Sequence, residues 1–584
     1  MASAKKLDPE ALAALLEMEI EWFYSTKEKL SPDDVLIGLL DHGLFAEKIP
    51  PCFTTEGLAE FVSNSMGTLL DETDDKKLKE ALAGRSHDFM RYEALRDSNI
   101  PRHMGVPHPE AYAVQALAIA KHWQAIATHC NKPKPVFSRI HVRHVGDGRI
   151  FEMNYKGDER FRLEENEQRW MSGAQYVVEA DIATCFPSIY THSIPWVLDG
   201  KAAAKKSSSL TKLPGNLLDK CTQNTRDRQT NGLLIGPHAS NIISEIILTQ
   251  IDADLQAKGH RKVRRHVDDY RFYASTYEEA EKFIKDLGMA LRAYEMSLNE
   301  KKTKIVPLPS PSEANWVLVL NRHPLPKDQE LKFSEIRSFL DRALTCAQAI
   351  GKSTPLNYAI KVLAKSHSKK NPGDGDETPP RKLSLRAKRM YAQEAMNLAL
   401  AYPYLAPMLD EFVFTPYWHA DLKGRIAEFA TALVSLGLRK LYPDAIAHAI
   451  FLALKYDFVL GLKDEQLKEV VALDDCIANV LLFEYAKIRE RATLEKAVKK
   501  RANELKTADQ RDKDKHWLLI YQVWTEAELK SRDQHFLAEL KGKRFQFLCL
   551  PKSQEGKESE AGDGAPVAEM PAAPVEAEDE AQTG

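Results

Sequence analysis

The chain has 584 residues, too many for one hydrophobic core, so two or three domains are expected. A hydrophobic fraction of 44% and a charged fraction of 28% are those of a water-soluble globular protein, and no apolar run is long enough to cross a bilayer, which argues against a membrane role and for the cytoplasm. The formal net charge of -3 decides little about nucleic acid, because an acidic tail and an acidic helical half would hide a basic channel in the sum.

The N-terminus passes straight into an amphipathic helix without the apolar core or cleavage site of a secretory signal. Residues 1–84 are expected to be a helical extension, with Asp8-Pro9 and Ser31-Pro32 each placing a cap before proline at the first helical position. Between 85 and 310, β-branched strands such as Gln175 to Glu179 and Arg261 to Arg265 alternate with apolar-periodic helices, an α+β pattern. One helix follows Gly236-Pro237 and buries Ile242, Ile243, Ile246, Ile247, Ile251 and Leu255 before Gly259 ends it; another runs from Tyr277 to Tyr294.

Residues 311–550 are mostly helical, interrupted by a loop rich in lysine, glycine and proline at 369–380. Segments such as Ala445 to Leu454 and Leu467 to Arg489 suit a bundle or a HEAT-like stack equally. The last stretch, 551–584, is an acidic tail with almost no large apolar side chain, a composition that stays disordered. The seven cysteines are scattered and nowhere at zinc-site spacing, so they are expected to be reduced thiols.

The chemistry is carried by carboxylates at strand ends. Asp181 closes the strand that contains Tyr176 to Ala180, and Asp268-Asp269 sits in the turn between two apolar strands, following His266-Val267. Transfer of a nucleotidyl group needs two divalent ions about 4 Å apart, and hard cations such as magnesium take carboxylate oxygen. An aspartate on one strand facing a doublet in a neighbouring hairpin supplies that arrangement, although an Asp-Asp pair alone is a common turn. The pair in Leu473-Asp474-Asp475-Cys476 is such a case: it opens an apolar helix and reads as a cap.

The ordered set of segments resembles the motifs of reverse transcriptases. Arg102-His103-Met104-Gly105-Val106-Pro107 resembles the fingers motif, and Asp181 to Phe186 the first palm motif, an aspartate followed by a bulky aromatic. The run Asn231 to Ser240, with Gly236, resembles the glycine-bearing loop and helix under template and nucleotide. His266 to Asp269 resembles the Tyr-x-Asp-Asp turn, and Leu298 to Lys304 the segment after the palm helix. The stretch Phe186 to Trp196, the segment Val106 to Pro109 and the helical second half resemble one branch, the bacterial abortive-infection (AbiK-like) and defence-associated reverse transcriptases. Two departures stand out: His266 replaces the tyrosine of the turn, and Leu234-Ile235 replaces the more familiar pair in the glycine loop.

The resemblance implies a right-hand polymerase with fingers and palm over 85–310 and an all-α HEAT-like domain over 311–550 in place of a thumb. The implied activity is DNA synthesis from dNTPs in anti-phage defence, with DNA product attached or released. Protein priming, untemplated extension or guidance by a small non-coding RNA, and a homo-oligomer, are further implications. Asp181, Asp268 and Asp269 would hold two Mg2+ ions, or Mn2+, with Ile182 beside them in the metal set. Arg102, Phe186, Gly236 and Lys302 would contact the nucleotide, with Phe186 crowding a 2′-hydroxyl. The alternatives are a conventional RNA-templated enzyme of the retron or intron type, or a catalytically silent nucleic-acid-binding scaffold.

Overall fold

The computed structural model describes residues 30–45, 48–97, 100–130, 136–138, 141–146, 149–152, 167–311, 314–326, 329–364 and 380–550. The expected cap at Asp8-Pro9, the loop at 369–379 and the tail from 551 lie outside these residues. The cap at Ser31 is present: its hydroxyl accepts from the Asp34 amide at 3.1 Å while the Asp34 carboxylate returns to the Ser31 amide at 2.8 Å, ahead of the helix Pro32–Leu40.

Among the described residues, nine strands form three sheets: a hairpin of β1 (Phe89–Ala94) and β2 (Arg102–Pro107), a second of β4 (His141–Gly146) and β5 (Arg149–Glu152), and a five-stranded sheet. The last runs in the order β3-β7-β8-β6-β9, comprising β3 (Val136–Ser138), β7 (Val263–His266), β8 (Asp269–Ala274), β6 (Tyr176–Asp181) and β9 (Lys304–Pro307). The sheet is antiparallel except at one edge, where β3 pairs β7 in parallel. Parallel neighbours require a long crossover, and more than a hundred residues separate these two strands in the chain.

Alternation along β6 and β8 decides which side chains are available for chemistry. Val178 and Ala180 of β6, with Tyr270 and Phe272 of β8, face the main core, so the intervening residues share the opposite face. There Val177 and Tyr273 pack with Trp170 in a small separate cluster, and the remaining positions, Glu179, Asp181, Asp269 and Arg271, are polar. The core side is covered by the helices His238–Ala257 and Tyr277–Ala293, the latter stacking Phe283 on Phe272 with ring centres 4.4 Å apart. Both helices match their sequence expectations, and the six apolar residues named for the first are all buried.

From Asn315 to Gly542 every named element among the described residues is helical. The segment Leu467 to Arg489 is not continuous but splits into Asp464–Ala472 and Cys476–Ile488, because Asp474 takes a left-handed conformation at φ 57° and Asp475 caps the second helix through the Ala478 amide at 2.8 Å.

Candidate active site

Asp181 and Asp269 stand directly opposite one another in the β6–β8 register, both on the open face, and Asp268 is fixed in the turn by its carbonyl, which accepts from the Ile182 amide at 3.2 Å. The three carboxylates named from sequence are thus brought to one end of one sheet face. Asp181 is buried, Asp268 half-buried and Asp269 exposed. A cleft of about 530 Å³ opens over Asp181 and Asp269, lined also by His266, Arg271, Lys301, Lys302 and Lys304.

Mutual repulsion is written into the titration of these groups. Although much of Asp269 is open to the cleft, the protein packed around its carboxyl partly desolvates it and raises it to about 6, and the charges of Asp268 and Asp181 push the same way against the pull of Lys302. Asp268 is also raised, mainly by burial and then by Asp181, with Lys302 and Arg102 opposing. Closely spaced carboxylates that resist ionisation form an electronegative cradle, and their oxygens are the donor set hard divalent cations require.

Lys302 sits on the first aspartate, its Nζ 3.0 Å from Asp181 Oδ1. The other carboxylate oxygen accepts from Asn299 Nδ2 at 2.8 Å, and the Asn299 amide donates to the Asp181 carbonyl at 2.7 Å. Asn299 lies in the Leu298 to Lys304 segment, and its role shows only in the fold. Ile182 is buried, bridging to Leu298, so its side chain belongs to the core.

Phe186 lies in the short helix Cys185–Ser188 that follows Asp181, half-buried, and its carbonyl accepts from the Leu233 amide at 2.8 Å. The glycine loop is therefore clamped to the first palm motif. A second clamp joins the Gly232 amide to the Ile189 carbonyl at 2.7 Å. Gly232 adopts φ 87°, and a Cβ there would lie 2.8 Å from the Pro187 carbonyl oxygen, so no side chain fits. Gly236 at φ 129° and Pro237 then start the helix from His238. Arg102 is exposed at the beginning of β2, a strand held to the loop by the Gly105 amide donating to the Ile235 carbonyl at 3.0 Å.

Beneath the turn lies a network that the motif reading missed. Arg265 points into the core, fully buried, with Nη2 2.8 Å from both Glu245 Oε1 and Asp252 Oδ2, and Tyr270 donates to Asp252 at 3.0 Å. Its Nη1 also donates to the Val267 carbonyl at 3.1 Å. Val267 has φ 57°, an unfavourable conformation for a β-branched residue, so this bond braces the backbone immediately before the aspartate doublet. The signal was Glu245 and Asp252, two acids seven residues apart among the buried, mainly apolar positions of the helix His238–Ala257.

Another group of potential ligands, His87, His108 and Asp514, has donor atoms within 4.8 Å of one another. The two imidazoles are stacked with centres 3.9 Å apart and planes 12° from parallel, so an ion in the plane of one ring would lie over the face of the other. That geometry does not suit a metal.

The reverse transcriptase (RNA-dependent DNA polymerase) family model matches residues 118–334. This span contains both palm aspartate motifs, the glycine loop and Lys302, while Arg102 lies ahead of it. No curated protein matches the chain. Among solved structures, apo telomerase from Candida tropicalis aligns over 74% of this chain and 76% of its own, at 11% identity and a TM-score of 0.28, too loose a likeness to define the fold. No helix among the described residues is long and apolar enough to cross a membrane. Residues 118–334 are a reverse-transcriptase domain, and through it the chain is an RNA-directed DNA polymerase.

Proposed function

We propose that the chain synthesises DNA from dNTPs in bacterial anti-phage defence, with Asp181, Asp268 and Asp269 holding two magnesium ions for which manganese can substitute. The observation that carries the metal assignment is the convergence of three carboxylates on one sheet end, two of them with raised affinity for protons. When bound, such ions activate the attacking hydroxyl and neutralise the triphosphate.

The protein's own residues do the positioning. Asn299 and Lys302 orient the Asp181 carboxylate, and the Lys302 ammonium also lies ready for the triphosphate. Arg102 forks onto phosphate oxygens, as a planar guanidinium can and an ammonium cannot. The backbone around Gly236 admits the nucleotide closely, and His266, across the ladder from Asp269, lies beside the primer end. Phe186 crowds a 2′-hydroxyl and so selects deoxynucleotides.

The defence role, priming from a tyrosine, untemplated or small-RNA-guided extension and homo-oligomerisation are proposed from the motif resemblance. So is the division into fingers and palm at 85–310, a HEAT-like domain at 311–550 and a short extension before them. Incubation with labelled dNTPs and magnesium tests the activity, and sequencing any DNA purified with the protein tests templating. Phe186→Ala is expected to reduce discrimination against ribonucleotides about tenfold or more in primer extension; unchanged discrimination removes the gate assignment.

A further inference from the structure

Between the two palm aspartate motifs, the chain builds a second cleft that nucleotidyl transfer leaves unused. It has a volume of about 660 Å³, with Lys79, His192, Lys205 and Lys220 among its lining and Trp196 and Leu210 on its apolar wall. The one carboxylate in the lining, Asp219, is already engaged: its Oδ2 lies 2.5 Å from His192 Nδ1, and its Oδ1 accepts from Gln223 Nε2 at 2.7 Å.

This pairing makes a built anion site. Asp219 is 8% exposed, so it holds the His192 ring by Nδ1 from below and leaves the opposite edge towards the cleft, where the ring is 41% exposed. The hydrogen bond that His192 donates to the Asp219 carboxylate raises the His192 pKa, which favours the cationic imidazolium. Lys205 and Lys220 have no ion-pair partner among the described residues. Lys220 is half-buried, and burial together with Arg228 lowers its pKa, so an incoming anion would relieve a desolvated positive charge.

The cleft is also joined to the catalytic end of the palm. The Thr191 amide donates to the Thr230 carbonyl at 2.8 Å, and Tyr190 bridges to Asn231 of the glycine loop, so His192 is the next residue after backbone fixed to that loop. Cations beside a planar aromatic wall suit a chain of phosphates carrying bases better than an acidic peptide, which offers charge without rings to stack.

We infer that this cleft binds single-stranded nucleic acid next to the catalytic face, with one phosphate between His192 and Lys220, a second near Lys205, and a base against the Trp196 indole. The identity of the strand as template or product rests on the polymerase reading; the binding site does not.

The test uses the full chain and a single-stranded oligonucleotide carrying 5-iodouracil. Ultraviolet irradiation is expected to cross-link it to the peptide containing Tyr190 and Trp196. The double charge reversal Lys205→Glu, Lys220→Glu should weaken binding about tenfold or more by fluorescence anisotropy and make it less salt-dependent, with melting temperature unchanged. Trp196→Ala should abolish the cross-link while retaining part of the salt-dependent binding. Equal affinity in the reversal variant, or cross-links confined to the aspartate cleft, would overturn the inference. A wild-type protein that cross-links at Trp196 but incorporates no dNTP would instead sink the polymerase reading and leave this site standing.

Discussion

At Asp269 burial and two neighbouring carboxylates all oppose ionisation, which makes this residue a reporter of the site's charge. Its folded-state pKa, about 6, lies above the ordinary carboxylate value, so its contribution to stability is full at low pH and is lost as pH rises through 6. In chelator, the melting temperature should therefore fall between pH 5 and 7.5, and Asp269→Asn should flatten that fall while being at least as stable as wild type at pH 7.5. Added magnesium should restore the wild type alone, and its half-saturating concentration should rise as pH drops below 6. A melting profile indifferent to both substitution and metal would refute the shared cradle. The aspartates were legible in the sequence because a doublet after an apolar strand, paired with an earlier strand-end aspartate, is a pattern. Asn299 was not, since nothing in its local sequence says that it orients a carboxylate 118 positions earlier.

The β7–β8 hairpin as an element depends on the strained Val267 and on Arg265 below it. Removing the guanidinium leaves Glu245 and Asp252 buried without their counter-ion, a change that costs roughly 3–5 kcal/mol. Arg265→Met should accordingly lower stability by that order in chemical denaturation. Arg265→Lys, which keeps charge but loses the fork that reaches Val267, should fold better than the methionine variant and still need more magnesium for activity. Equal magnesium dependence in wild type and the lysine variant would confine Arg265 to a packing role. At Gly232, an alanine would combine φ 87° with a contact of 2.8 Å to the Pro187 carbonyl, so Gly232→Ala should cost about 1–2 kcal/mol and loosen the clamp on Phe186. Strands and long helices could be read from period and caps, whereas the break at Asp474 and the parallel edge strand could not, because each is settled by tertiary partners.

Across the whole molecule, the helical second half is fastened to the first β-hairpin by buried acids. Asp444 accepts from the Tyr92 hydroxyl and, at 2.8 Å, from the Leu95 amide, while Asp514 accepts from the Asp88 amide at 2.9 Å and from His87 Nδ1 at 3.1 Å. The far end closes on the near one, with the Cys549 amide donating to the Cys52 carbonyl at 2.7 Å. His87 lies between Asp514 and Glu110; although burial opposes its charge, the two carboxylates raise its pKa to about 9. A histidine raised in this way stabilises fully below its unfolded value and loses that contribution as pH rises through 9. Between pH 7 and 10 the wild type should thus lose more stability than His87→Gln, measured by thermal melting; parallel losses would contradict the assignment. These contacts were beyond sequence reading because the partners are as much as 427 positions apart and neither bears a motif.

The most direct measurement is incorporation of labelled dNTPs by the purified full-length chain with magnesium, comparing wild type with Asp268→Ala. Product from the wild type and none from the variant, at unchanged folded fraction, is the predicted outcome. Equal product from both, or none from either, would contradict an active centre built on the β6 and β7–β8 carboxylates.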